Sequence, residues 1–185
     1  MKYREMAGEK ISVLGFGCMR FPTTSKNAED IDAEKSAKML EYAIENGVNY
    51  FDTAYVYHGG KGESFIGGVL KPYRDKIHIA TKCPIWEVKC EEDFDRLLNE
   101  QLERLQTDYI DFYLVHALDK DRFKNVVEKF NLIDKLNKAK ADGKIRHIGF
   151  SFHDDVETLK KIIDANPNWE FCQIQLNYIN VKYQA

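Results

Sequence analysis

The sequence lacks the features that would place it in a membrane or on nucleic acid. No apolar run approaches the roughly 18 residues that a membrane-spanning helix needs, and the longest one, DFYLVHAL, has the length of a buried strand. The first ten residues, MKYREMAGEK, contain no apolar segment of a secretory signal. The formal net charge is −3 and both signs are interspersed, so we expect no binding of nucleic acid or of an anionic membrane.

Paired cysteines are also lacking. The four thiols form neither a C-x-x-C pair nor a zinc-binding spacing: Cys18, Cys83, Cys90 and Cys172. Isolated cysteines fit a reducing cytoplasm, where they serve as small core residues. With 185 residues, 44% hydrophobic and 31% charged, the chain has the profile of one globular domain and not of a disordered protein. We therefore expect a single cytoplasmic domain over residues 1–185.

The segment FDTAYVYHGGKGES combines three glycines with a lysine and resembles a phosphate-binding loop at first sight. A P-loop requires G-x-x-x-x-G-K-[ST], because its backbone N–H groups surround the phosphates and its hydroxyl reaches Mg²⁺. Here Gly62 and Glu63 follow Lys61, and no glycine stands five residues before Gly60. The spacing excludes a P-loop, and the glycines are interpreted as turn residues.

Short apolar runs alternate with amphipathic stretches along the chain. A hairpin is predicted first, with its turn at Ala7-Gly8-Glu9-Lys10. Six strands are then predicted to begin near Leu14, Asn49, Ile77, Ile110, Ile145 and Phe171. Apolar residues at helical spacing predict helices between them, over 33–44, 63–70, 94–105, 123–136 and 156–163. Asp32 is the predicted N-cap of the first helix and Gly47 its stop, Gly143 ends the fourth, and Asp154 and Asp155 precede the fifth.

Repeated βα units with strands apolar on both faces fit two architectures, an open doubly wound sheet or a (β/α)₈ barrel. A doubly wound dinucleotide-binding fold has G-x-G-x-x-G after its first strand, whereas LGFGCMRF places Arg20 where the third glycine belongs. This favours an α/β fold of the (β/α)₈ TIM-barrel type. A barrel of this type has eight strands, so residues 1–185 are expected to be incomplete at the C-terminus, with six of eight units.

Barrel active sites lie at the C-terminal ends of the strands. The second, third and fourth predicted sheet strands end in Asp52, Lys82 and His116, and Tyr57 follows on the loop after Asp52. Each residue taken singly also has a purely structural interpretation. Asp52 could cap the next turn, Tyr57 could be a half-exposed loop residue, and His116 could be a hydrogen-bonded core histidine. Lys82 closes an apolar strand and therefore needs a buried partner, which Asp52 can supply. The combination indicates one site.

This set of side chains suits the reduction of a carbonyl by hydride. Tyrosine, with a pKa of about 10, is a poor acid or base near neutrality. We expect the Lys82 ammonium to lower the pKa of Tyr57 and the Asp52 carboxylate to keep that lysine charged. His116 would orient the carbonyl oxygen by donating a hydrogen bond.

Four segments, DTAYVYHGGKGESFIG, ATKC, DFYLVH and IGFS, resemble in this order the aldo-keto reductases. The resemblance covers essentially the whole chain and implies an NADPH- or NADH-dependent oxidoreductase with a (β/α)₈ barrel and a small carbonyl substrate. It implies Tyr57 as proton donor, Asp52 and Lys82 as residues that tune it, and His116 as the residue that orients the substrate. It also implies that seven residues bind the cofactor: Gly17, Cys18, Met19, Arg20, Asp52, Ser151 and Gln173.

The sequence departs from the family pattern at several places. Phe152 and His153 follow Ser151, where the family usually has an asparagine that binds the cofactor carboxamide, and His153 is a candidate to replace it. The small Ala117 follows His116 in place of an apolar or aromatic wall. GFSFHD and QIQLNYIN resemble a subgroup whose longer members carry an iron–sulfur tail. Residues that clamp the adenosine phosphate would follow Ala185.

Two other functions remain open on the sequence alone. A cofactor-binding regulatory or structural relative would keep the fold without useful turnover, since fold does not fix function. A metal hydrolase would use Asp52, His116 and His153 as ligands, but Lys82 would repel a cation at the centre of such a site. Six strands would also leave open barrel edges, so we expect the 185-residue chain to self-associate.

Overall fold

The computed structural model describes residues 1–179, and six parallel strands within them form one curled sheet. An antiparallel hairpin, β1 (Tyr3–Met6) and β2 (Glu9–Ser12), precedes the sheet. The sheet strands are β3 (Phe16–Gly17), β4 (Tyr50–Asp52), β5 (His78–Cys83), β6 (Ile110–Leu118), β7 (Ile145–Phe152) and β8 (Phe171–Ile174). All six predicted strand positions are confirmed.

The strands pair in chain order from β3 to β8, each parallel to the next. A doubly wound sheet reverses its strand order at a switch point, and no reversal occurs among the described strands. The consecutive order and the curled sheet confirm the predicted barrel type, with six of its eight strands found among residues 1–179.

Helices follow the strands as the sequence periodicity predicts. They are α1 (Ala33–Glu45), α2 (Gly62–Leu70), α3 (Glu92–Leu105), α4 (Lys120–Arg122), α5 (Leu132–Ala141) and α6 (Val156–Ala165). The side chain of Asp32 caps α1 by accepting a hydrogen bond from Lys35 N at 3.2 Å, and Asp155 caps α6 through Thr158 N at 2.8 Å. Among residues 1–179, none of the helices combines the length and apolar character that crossing a membrane requires.

The prediction of one continuous helix over 123–136 is wrong. The chain instead forms the short α4, a π-helical turn over Phe123–Glu128 and then α5. Phe123 and Val127 are the buried residues of the π turn. Asn131 ends this stretch at a φ of 52°, in the left-handed region that asparagine tolerates better than most residues.

The hairpin turn is also shorter than predicted. Glu9 and Lys10 belong to β2 and pair with Met6 and Glu5, so the turn consists of Ala7 and Gly8 alone. Both turn residues have positive φ, 52° and 82°. Such two-residue turns match the right-handed twist of the flanking strands, and this twist overrides the poor fit of alanine to that conformation.

Phe112 of β6 lies at the centre of the packing inside the curled sheet. Its ring is 4.9 Å from that of His147, 5.1 Å from that of Phe171 and 5.3 Å from that of Tyr50, measured between centroids. Ile11 of the hairpin belongs to the same buried cluster. The hairpin and the inward side chains of the strands together form this inner core, while a larger core lies between the sheet and the helices.

Two adjacent glycines of α2 provide a test of the packing between α2 and α3. A Cβ at Gly67 would lie 2.5 Å from the carbonyl oxygen of Arg104, whereas a Cβ at Gly68 would have its nearest neighbour at 3.8 Å. We expect Gly67→Ala to lower the free energy of unfolding by about 1–3 kcal/mol through overpacking. Gly68→Ala should leave it unchanged or raise it by about 0.5–1 kcal/mol, the usual helix preference for alanine. Urea denaturation of both variants measures the difference, and equal stabilities would contradict the close approach of the helices.

Candidate active site

The strand ends carrying the predicted site residues surround a cleft of about 630 Å³. Seven of the predicted residues line it: Met19, Arg20, Tyr57, Lys82, His116, Ser151 and Gln173. Because parallel strands end at the same edge of a sheet, residues far apart in sequence meet at this edge. Asp52, Cys18 and Gly17, the other predicted residues, lie next to the cleft without lining it.

A buried ion pair forms the base of the site. Lys82 is 2% exposed, and its Nζ donates hydrogen bonds to both carboxylate oxygens of Asp52 at 2.8 Å and to the carbonyl oxygen of Thr53 at 2.6 Å. These acceptors satisfy the ammonium. Burial raises the pKa of Asp52, while Lys82 and a side-chain hydrogen bond with Gln173 oppose that rise. The pair is therefore held together away from water.

Tyr57 begins a short 3₁₀ turn, Tyr57–Gly60, and its ring centroid lies 5.2 Å from Lys82 Nζ. Burial, as the largest cause, the Asp52 carboxylate and the Cys18 thiol together raise the pKa of Tyr57 to about 12. The expectation that Lys82 lowers this pKa is wrong in this structure. Because the ammonium hydrogen bonds to Asp52 and Thr53, its charge is largely compensated, and Tyr57 keeps its proton at neutral pH.

His116 also lines the cleft and is neutral. Burial, as the largest cause, and the nearby Lys82, His153 and Arg122 together lower its pKa to about 3. Its Nδ1 is buried and has no hydrogen-bond partner among residues 1–179. The Trp86 ring packs beside the imidazole at 5.0 Å between centroids. A neutral imidazole of this kind can donate a hydrogen bond to a substrate oxygen without carrying charge.

The residues expected at the cofactor have different environments. The Ser151 hydroxyl oxygen accepts a hydrogen bond from Ala117 N at 2.6 Å, which joins the ends of β6 and β7. Gly17 is exposed, and no atom lies within 4 Å of where a Cβ would be. Cys18 is fully buried, and its backbone N–H donates to the Asp52 carbonyl at 2.8 Å. The Cys18 side chain is thus separated from the cleft.

Sequence reasoning missed five residues that line the cleft: Val56, Trp86, Arg122, Ile174 and Gln175. Trp86 stands on the loop directly after β5, so its position behind a barrel strand was a usable signal. No sequence signal pointed to Arg122, because its position in the cleft depends on the single helical turn α4. Of the three residues that depart from the family pattern, Phe152 is buried in β7, and Ala117 and His153 line the cleft.

The glycine-rich segment after β4 forms a turn, as the sequence analysis predicted. His58, Gly59 and Gly60 have successive φ values of 54°, 63° and 86°, which reverse the chain between Tyr57 and α2. Glu63, which follows, is fully buried and accepts hydrogen bonds from Thr81 Oγ1 and Gln101 Nε2, both at 2.6 Å. A buried and satisfied carboxylate at this position leaves no room for a phosphate.

Comparison with known proteins yields one family. Residues 13–184 match the model of the Aldo/keto reductase family. L-galactose dehydrogenase of Arabidopsis thaliana is 32% identical over 151 residues, covering 78% of this chain and 46% of the plant protein. The holo form of an aldo-keto reductase from Bacillus halodurans superimposes with a TM-score of 0.72 at 30% identity, covering 89% of this chain and 54% of the other.

A further similar structure is an aldo/keto reductase from Klebsiella pneumoniae in complex with NADP and acetate, with a TM-score of 0.65 at 27% identity, covering 82% of this chain and 49% of that one. The chain spans about half the length of the relatives that it matches.

The ion pair predicts a pH-dependent loss of stability in Lys82→Met. Without the ammonium, the pKa of the buried Asp52 in the folded state should rise further, while the unfolded residue titrates near 3.9. The variant should therefore resemble the parent in stability near pH 4 and lose stability as the pH rises toward the folded pKa. At pH 8 we expect the full penalty of a stranded buried charge, about 3–5 kcal/mol.

The double variant Lys82→Met, Asp52→Asn is the matched control, because it removes the stranded charge. Its stability should exceed that of Lys82→Met at pH 8 and show no extra dependence on pH. Urea denaturation at pH 4, 6 and 8 distinguishes these outcomes. If Lys82→Met lost the same free energy of unfolding at all three pH values, Asp52 would not be the group whose titration causes the loss.

Proposed function

The chain belongs to the aldo-keto reductase family, and we propose that it carries the catalytic centre of an oxidoreductase that reduces an aldehyde or ketone to an alcohol with NADPH or NADH. The observation that carries this proposal is the buried Lys82–Asp52 pair beneath a protonated Tyr57, in a cleft that His116 also lines. NADPH, when bound, supplies the hydride that adds to the carbonyl carbon. The side chains then have to supply a proton to the carbonyl oxygen.

Tyr57 is the proposed proton donor. A phenol with a pKa of about 12 stays protonated at neutral pH, and an alkoxide is a much stronger base than a phenolate. Transfer of the phenolic proton to the developing alkoxide is therefore downhill. Lys82 and Asp52 fix the electrostatic environment of the ring, and the neutral His116 orients the carbonyl oxygen through a hydrogen bond.

Several residues fit the nicotinamide half of NADP. Gly17 presents open backbone on which a flat ring can rest. Met19, Arg20, Ser151 and Gln173 line the adjoining cleft, with hydroxyl and amide groups suited to a carboxamide.

The remaining positions are assigned indirect roles. His153 is proposed to take the place of the asparagine that usually follows the serine, since it lines the same cleft. Cys18 is proposed to support the site through its backbone hydrogen bond to Asp52, and Asp52 through its charge beside Lys82. NADP, which the Klebsiella relative binds, is the proposed cofactor.

The proposed setting is the reducing cytoplasm, with a small carbonyl compound as substrate. The four cysteines are free, Cys18 and Cys83 in the core and Cys90 and Cys172 at the surface, which supports that setting. The proposed domain is a single barrel unit over residues 1–185, with β3 and β8 as open edges among the described strands.

Tyr57→Phe tests the proton donor. In the full-length protein we expect the variant to bind NADPH as the parent does and to reduce carbonyls at least about 10²-fold more slowly, the usual scale of general acid catalysis. Tyr42→Phe, on the exposed face of α1, is the matched control and should keep full activity. NADPH oxidation with a panel of aldehydes measures both.

Equal turnover by Tyr57→Phe and the parent would remove Tyr57 from this role. Because the pKa of Tyr57 is raised to about 12, the reduction rate should also lack any Tyr57-dependent decline between pH 6 and pH 9. Binding of NADPH without reduction of any carbonyl would instead favour a cofactor-binding relative.

Open edges predict that residues 1–185 alone self-associate. Ile174 on β8 is 41% exposed, and Leu14 before β3 is 61% exposed, so apolar side chains accompany the unpaired backbone of both edges. Light scattering should show oligomers, and NADPH titration should show weaker binding than in a longer form with eight strands. A monomer that unfolds cooperatively and binds NADPH at micromolar strength would contradict this.

A further inference from the structure

The charged side chains that line the cleft are all cations among the residues that the structure describes. Arg20, Lys82 and Arg122 line it, and no acidic side chain does so among residues 1–179. The protein as a whole has a net charge of −3, so this concentration of cations is local. Lys82 is compensated by Asp52 and Arg122 is partly compensated by Asp119 at 3.4 Å, so Arg20 and the remaining charge of Arg122 are what the cleft offers to a ligand.

Arg122 is held in a defined position by the chain around it. Its backbone N–H donates to Asp119 Oδ1 at 2.7 Å, and its Nη1 donates to the carbonyl oxygen of Ala117 at 2.7 Å. The same Nη1 lies 3.4 Å from Asp119 Oδ2. Ala117 is itself anchored by the Ser151 hydroxyl. The guanidinium is therefore oriented before any ligand arrives, which reduces the entropy lost on binding.

One edge of this guanidinium is uncommitted. Both contacts of the side chain use Nη1, and neither Nε nor Nη2 has a partner within the part of the chain that the structure describes. These two nitrogens form the fork that pairs with the two oxygens of a carboxylate or phosphate. The side chain is 43% exposed and lines the cleft, so the fork is accessible.

The surroundings of Arg122 suit a short substrate with an apolar middle. Trp86 and His116 lie on the same cleft, with their rings 5.0 Å apart. Ala117 next to His116 carries only a methyl group, so it adds little bulk between His116 and Arg122. A carbonyl at His116 and Tyr57 therefore places the rest of the substrate along Trp86.

We propose that Arg122 binds an oxyanion, a carboxylate or a phosphate, at the far end of the carbonyl substrate, so that the protein prefers anionic aldehydes or ketones to neutral ones. This inference rests on the proposed carbonyl reduction for its substrate. It goes beyond that proposal by naming the substrate class and the residue that selects it.

Matched pairs of probes test the preference in the full-length protein. The first pair is 4-oxobutanoate and its methyl ester, and the second is glyceraldehyde 3-phosphate and glyceraldehyde. We expect kcat/KM to be about 10- to 100-fold higher for the anionic member of one pair, the range of a charge-assisted hydrogen bond. The pair with the larger ratio identifies the oxyanion as carboxylate or phosphate.

Arg122→Met should abolish the ratio and leave the neutral probe and the dissociation constant of NADPH unchanged. Arg122→Lys keeps the charge without the fork and should retain part of the ratio. Arg96→Met, the same change on the surface of α3 away from the cleft, should behave as the parent. The thermal midpoint of each variant shows whether it is folded.

Binding of 4-oxobutanoate and of glyceraldehyde 3-phosphate without NADPH, measured by calorimetry, separates this inference from the proposed function. Arg122-dependent binding of either anion without reduction of any probe would support the anion site and reject the reductase. Equal kcat/KM within both pairs, or an unchanged ratio in Arg122→Met, would overturn the anion site. A loss of NADPH affinity in Arg122→Met would overturn it too, by assigning the arginine to the cofactor.

Discussion

The ion pair between Lys82 and Asp52 is the interaction on which the site depends. A buried ammonium is tolerated only if its charge and its hydrogen bonds are satisfied, and here two carboxylate oxygens and one carbonyl oxygen satisfy them. The parallel register of β4 and β5, which pairs Asp52 with Ala80, brings the two residues together. A shift of one residue would turn Lys82 to the opposite face of the sheet.

A second buried network holds the strand that carries Lys82. Gln101 of α3 donates to the carbonyl oxygen of Lys82 at 3.1 Å and accepts from the Tyr113 hydroxyl at 2.7 Å. Glu63 of α2 joins the same network through Thr81 and Gln101. Since α2 follows the turn that begins at Tyr57, this network sets the position of the tyrosine loop relative to β5.

The electrostatics of the cleft follow from burial next to fixed charges, the Asp52 carboxylate for Tyr57 and the cations Lys82 and Arg122 for His116. Burial alone raises the pKa of Tyr57 and lowers that of His116, and neighbouring charges reinforce each shift. Both side chains are therefore neutral at neutral pH, in a cleft whose permanent charges are positive. A neutral proton donor and a neutral hydrogen-bond donor beside cations suit a reaction in which negative charge develops on an oxygen.

The sequence by itself determined the barrel type, the six strand positions, the cap at Asp32 and the meeting of Asp52, Tyr57, Lys82 and His116. These depend on local periodicity, on short-range hydrogen bonds and on the rule that parallel strands end together. Only the tertiary structure decided the break at Asn131, the raised pKa of Tyr57 and the presence of Arg122 in the cleft. The break at Asn131 follows the π turn over Phe123–Glu128, which apolar spacing does not distinguish from an α-helix. The other two depend on what lies next to a residue in space, namely the partners that already compensate Lys82 and the anchoring of a single helical turn to β6. Sequence spacing carries no information about such neighbours, because they come from other strands and loops.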